Sequence, residues 1–112
     1  MNSVRWAWSA SKDLTDITAY LASDSPTAAK TFVERVDHAV RQLADQPQSG
    51  RVVPELERES LTRYREVILA PWRLFYRYDQ DTVFILGLID GRRDIQDILL
   101  RRLTRDASSG SE

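Results

Sequence analysis

Ser25-Pro26 divides two amphipathic stretches with no spacer between them, and this constrains the fold more than any other feature of the chain. Serine can cap exposed N–H groups, and proline at the first helical position has its φ already set and lacks only a donor that would be orphaned there. Upstream, Ala10, Leu14, Ile17 and Leu21 recur at helical spacing, with Ser9 placed as an N-cap and a stop expected near Ser23-Asp24. Downstream, Ala29, Phe32, Val33, Val36, Val40 and Leu43 mark one apolar stripe ending near Ala44, roughly 28 Å of helix. So short a connection predicts an antiparallel helical hairpin.

The rest of the chain reads mainly as strands. Residues 3–8 alternate, with Val4, Trp6 and Trp8 on one side, and predict a short strand before the hairpin. Residues 45–50 contain Pro47 and Gly50 and form a turn. Residues 51–61 are polar and carry Pro54, so a surface loop is expected there. Arg63 to Leu69, Trp72 to Tyr78 and Val83 to Ile89 then predict three strands, separated by Ala70-Pro71 and Asp79-Gln80-Asp81. Asp94 is placed to cap a short last helix with apolar positions Ile95, Ile98, Leu99 and Leu103. The expectation is one α+β domain over residues 1–105, in the order β-α-α-β-β-β-α. One sheet face packs on the hairpin and the other stays open. Residues 106–112 have no apolar pattern and are expected to form a disordered tail.

Composition excludes several kinds of chemistry. The 112 residues hold no Cys and one His, which removes a disulfide scaffold, thiolate chemistry and any His-centred metal site or catalytic triad. His38 falls off the apolar stripe of its helix and should be solvated. Glu55, Glu57 and Glu59 form a run best read as a solubilising segment, with no partner at fixed geometry for acid–base work. No glycine-rich phosphate loop is present; the four Gly stand at 50, 87, 91 and 110. No cofactor is expected. The longest apolar run, Val83 to Ile89, is too short to span a bilayer, and no targeting signal is visible, so a cytoplasmic protein is expected.

Charge is balanced overall but unevenly composed. Sixteen basic and seventeen acidic residues give a net charge of −1, and fourteen of the basic residues are Arg. That balance does not suggest nucleic-acid binding through phosphates. Eleven of the Arg lie at or after Arg51. Strand alternation puts Arg73, Phe75 and Arg77 on the expected open face, and pairing through the tight turn places Arg65 beside them. Such a face is either neutralised by acids such as Glu66, Asp79 or Asp90, or answers an anionic partner through bidentate guanidinium contacts. Arg92 and Arg93 follow Gly91 at the last strand-to-helix turn, a second candidate anion site.

Taken in order, several segments resemble one family. They are Ala10-x-x-Asp13-Leu14-x-x-Ile17-x-x-Tyr20, Ser25-Pro26-x-Ala28-Ala29 with Phe32, and Pro47-x-x-Gly50-Arg51-x-Val53-Pro54-Glu55. Tyr64-Arg65-Glu66-Val67, Trp72-Arg73-Leu74-x-Tyr76-Arg77, Val83-x-Ile85-Leu86 and Gly91-Arg92-Arg93-Asp94 complete the set. The chain resembles the RelE/ParE superfamily of toxins from type II toxin–antitoxin modules, also called plasmid stabilisation proteins, from Trp6 to about Leu103.

The resemblance implies a cognate, ParD-like antitoxin whose C-terminal segment folds over the toxin as a hetero-oligomer. It also implies one of two activities. Relatives of the RelE type cleave mRNA on the ribosome, and on that reading the catalytic residues would be Arg65, Arg73 and Arg93. Relatives of the ParE type poison DNA gyrase without being enzymes. No His, Tyr or Lys follows Tyr78 here, and Asp90 stands where many relatives carry His. Arginine is a poor base. The expectation is therefore a non-catalytic gyrase poison, with Arg65, Arg73, Phe75, Arg77, Arg92 and Arg93 meeting antitoxin or target. A toxin that cleaves mRNA and a non-toxic antitoxin binder are the alternatives.

Overall fold

The computed structural model describes residues 1–109. Strand β1 (Ser3–Trp6) leads into α1 (Trp8–Ala22) and α2 (Pro26–Asp45). Then follow β2 (Arg51–Val52), α3 (Pro54–Glu57), β3 (Tyr64–Leu69), β4 (Trp72–Asp79), β5 (Thr82–Asp90) and α4 (Ile95–Ser109). The five strands form one sheet in the order β1-β5-β4-β3-β2. β3, β4 and β5 make the expected antiparallel meander, and β1 joins its edge parallel to β5.

The hairpin forms as its sequence dictates. Ser25 accepts a hydrogen bond from the Ala28 N–H at 3.1 Å, and Pro26 opens α2. Ala29, Phe32, Val36, Ala39 and Leu43 are buried along α2. With Leu74, Tyr76, Val83, Ile85 and Leu88 from the sheet, most of them form the first core, and Phe32 packs on Trp72 with ring centroids 4.7 Å apart. His38 is exposed, as its position off the stripe requires. The start of α1 differs from expectation. The helix begins at Trp8 with Ala7 as N-cap and no side-chain cap, so Ser9 does not cap it and Trp8 leaves the strand to stand 76 % exposed.

The second sheet face is not open. Residues 51–61, expected as a loop, contain β2 and the one-turn helix α3, and Val53 and Leu56 are fully buried. They join Phe75, Ile89, Ile95 and Leu99 in a second core beneath α3 and α4. Pro54 does forbid a continuing strand, but it does so by opening a helix. α4 starts on the expected cap, with the Asp94 carboxylate accepting from the Asp97 N–H at 3.1 Å. It runs on to Ser109, taking in the first residues of the 106–112 segment; residues 110–112 lie outside the described residues.

Two irregularities position the rest. Phe75 pairs with Gly87 but Tyr76 with Ile85, so Leu86 is an extra residue in β5. The bulge turns Ile85 and Leu88 toward the hairpin and Leu86 and Ile89 toward α4, which lets one strand feed both cores. β1 stops at the Trp6–Ile85 pair, which leaves the far half of β5 with a free edge. Asp13 of α1 covers it by accepting the Leu88 N–H at 2.9 Å. Arg102 of α4 binds both Asp13 oxygens, at 2.7 and 3.0 Å. Gly87 makes room for this clamp, since a Cβ there would lie 2.8 Å from the Arg102 guanidinium.

Candidate functional site

The arginines expected to share one face separate into three environments. Register decides the first division. Glu66 pairs with Phe75 and Arg65 with Tyr76, so Glu66 lies on the face of Arg73, while Arg65 points to the opposite face. Residues paired across an antiparallel ladder share a face, and the expected grouping of Arg65 with Arg73 was one residue out of register. Arg65 instead donates to the Gly50 carbonyl at 2.7 Å. Beside it the Tyr76 hydroxyl donates to the Pro47 carbonyl at 2.8 Å and accepts from the Gly50 N–H at 3.0 Å. Burial raises the Tyr76 pKa, so this phenol is a strut of the 47–50 turn.

Arg73 is the centre of the second environment. Its Nε donates to Glu66 at 2.6 Å, and its two terminal nitrogens form a bidentate pair with Glu55, both at 2.8 Å. The other Glu66 oxygen accepts from Arg51 Nε at 2.6 Å. The Glu66 side chain has no solvent exposure, and that of Arg73 has 11 %. The guanidinium also lies 5.2 Å from the Phe75 ring centroid, and Phe75 itself is 1 % exposed. Phe75, expected on an open surface, is thus a core residue.

Hydrogen bonding to Arg73 pulls the Glu55 carboxyl down to about 2 from its ordinary 4.5, against the opposing effect of burial. Glu55, chiefly, and Glu66 raise the Arg73 pKa still further above its ordinary value. Both edges of the guanidinium are therefore held by carboxylates. Arg73 can take a phosphate only by giving up Glu55, and it cannot act as a base.

In the third environment Arg92 and Arg93 are exposed, while the Arg77 side chain keeps only 16 % exposure. Arg77 lies 4.1 Å from the Phe84 ring centroid and 3.8 Å from Asp79. Arg92 forms a two-point pair with Asp90, at 3.0 and 2.6 Å, within one turn. That pair holds the Asp90 carboxyl at about 2. Arg93 is exposed and lines a groove between α1 and α4.

Sequence reasoning missed the role of Glu55, which it placed in a solubilising run. The signal was present: proline followed by glutamate, after an apolar residue, is a helix N-terminus with an acid in its first turn. Among the described residues no group of three or more His, Cys, Asp or Glu could hold a metal ion. No helix among them is long and apolar enough to cross a membrane.

Residues 4–95 match the family model described as ParE toxin of type II toxin–antitoxin system, parDE. The chain belongs to the ParE toxin family. A putative toxin, Y4kP, of Sinorhizobium fredii is 36 % identical over 98 residues, covering 86 % of this chain and 95 % of the relative. Toxin RelE2 of Caulobacter vibrioides is 33 % identical over 88 residues, covering 79 % and 93 %. The fold matches a chain of the chromosomal ParDE toxin–antitoxin system from P. aeruginosa with a TM-score of 0.60, at 24 % identity, over 80 % of this chain and 96 % of that one. The chain is therefore a type II toxin of the ParE/RelE kind, and such a toxin has an antitoxin partner. Within this ParE-family chain, the resemblance read from Trp6 to Leu103 covers nearly the same span as the matched model.

Proposed function

We propose that this toxin acts in the cytoplasm by binding, as a non-catalytic poison of DNA gyrase that its antitoxin neutralises. The observation that supports this most is the occupied state of Arg73. A ribonuclease of this fold needs cations to steady the scissile phosphate and a group to move a proton. Here the strand arginine is engaged on both edges by Glu66 and Glu55. Arg65 and Tyr76 both lie on the opposite face, where the Tyr76 hydroxyl is committed to Pro47 and Gly50. The net charge of −1 also gives no field that would draw the protein to ribosomal RNA.

Primer extension on mRNA translated in the presence of the toxin tests the non-catalytic part of this reading. The expected result is no new cut. Codon-linked cuts that disappear in a folded Arg73→Ala variant would overturn it and establish the ribonuclease instead.

A further inference from the structure

The groove between α1 and α4 stands apart from the Arg73 cluster and encloses a volume of about 310 Å³. Its exposed lining includes Trp8 and Lys12 from α1, Arg101 and Arg105 from α4, and Arg93 from the turn before α4. Ile98 supplies an apolar floor. Trp8 is the most exposed large ring of the chain at 76 %, although tryptophan side chains usually bury most of their surface. Exposed Trp and Arg side by side are the residue types that dominate binding energy at protein interfaces.

Charge singles out two of the lining cations. Lys12 and Arg101 are each tied to an acid one helical turn away, Asp16 and Asp97, in exposed pairs. Such pairs are weak and exchange partners easily. Arg102 is committed to Asp13. Arg93 and Arg105 form no ion pair at contact distance among the described residues, although Arg93 helps to lower the pKa of the Asp90 carboxyl, and the two stand on the order of 15 Å apart along the α4 axis.

We propose that this groove docks an acidic segment of the antitoxin, with carboxylates on Arg93 and Arg105 and an apolar side chain laid on Trp8 and Ile98. Polypeptide suits the groove better than nucleic acid. Asp13, Asp16 and Asp97 lie within or beside it and would repel a continuous phosphate backbone, whereas spaced carboxylates meet the two unpaired guanidiniums without crossing them. Family membership supplies an antitoxin as the partner, and this inference adds its place on the toxin.

The test measures affinity for the cognate antitoxin by calorimetry, using wild-type toxin, Arg93→Ala/Arg105→Ala and Trp8→Ala. All three altered side chains are exposed, so circular dichroism spectra and thermal midpoints should match the wild type. The expected result is at least about tenfold weaker binding for each variant, with a shallower salt dependence for the double arginine variant. Unchanged affinity in both variants would overturn the proposal. So would unchanged antitoxin affinity accompanied by loss of gyrase inhibition, which would assign the groove to the target. A toxin that does not inhibit gyrase, yet loses antitoxin affinity in these variants, would refute the gyrase reading and leave the docking site standing.

Discussion

Glu66 lies wholly out of water because two guanidiniums meet its two oxygens, Arg51 on one and Arg73 on the other. Removing one member of a buried charged cluster leaves the others uncompensated. Glu66→Ala is therefore expected to cost about 3 kcal/mol in urea unfolding, and Glu55→Ala less, since Glu55 keeps some exposure. Glu55 instead shows itself in acid. Its carboxyl titrates near 2 in the folded chain against 4.5 ordinarily, so the unfolded chain takes up that proton first as pH falls. The stability it contributes is complete above 4.5 and is lost as pH drops from there toward 2. Urea midpoints should hold steady from about pH 7 to pH 5.5 and then decline, and Glu55→Gln should flatten that decline. A decline equally steep in the variant would show that other carboxylates govern acid unfolding. These residues also mark where sequence reading stopped. Alternation identified Arg73, Phe75 and Arg77 as one face, but whether that face met water, acids or a helix depended on register and on α4, which no local pattern reports.

At the level of elements, the Ser25-Pro26 punctuation, the helical stripes and the three-strand meander were all legible because each expresses a local period. The β5 bulge was not, since residues 83–89 are apolar on both faces and either register satisfies them. Helix α3 was missed because a single turn presents too few residues for a period to emerge. The Asp13–Arg102 clamp joins residues 89 positions apart and belongs to no local motif. It predicts that Asp13→Ala, by stranding Arg102 and the Leu88 N–H, destabilises the fold by about 3 kcal/mol. Amide exchange should then accelerate in α4 well before it does in the α1–α2 hairpin. Uniform acceleration would mean that the clamp is not what holds α4. Two glycines give a paired comparison. A Cβ at Gly50 would sit 2.6 Å from the Glu66 carbonyl oxygen, which is backbone, whereas at Gly87 the nearest atom is the far end of the Arg102 side chain, which can shift together with its Asp13 partner more readily than backbone can. Gly50→Ala should cost about 3 kcal/mol and Gly87→Ala about 1 kcal/mol, as read by thermal or urea unfolding. The reverse order would contradict this packing.

For the whole molecule, neutrality and crosslinking between elements belong to one picture. Several of the late-chain arginines tie strands, helices and turns together, through Arg51, Arg65, Arg73 and Arg102, and Arg92 and Arg101 pair with acids close by in the chain. They are not a bare basic field. Family membership assigns the broad role, and on the function proposed above a toxin built this way acts by binding, through shape and a few spaced charges, a reading that the engaged Arg73 supports. Supercoiling of relaxed plasmid by purified gyrase with ATP tests that account most directly. The free toxin is predicted to block supercoiling and to accumulate cleaved DNA on denaturation of the complex, with both effects reversed by adding antitoxin. Full supercoiling at toxin in molar excess over gyrase, with no cleaved DNA, would contradict it.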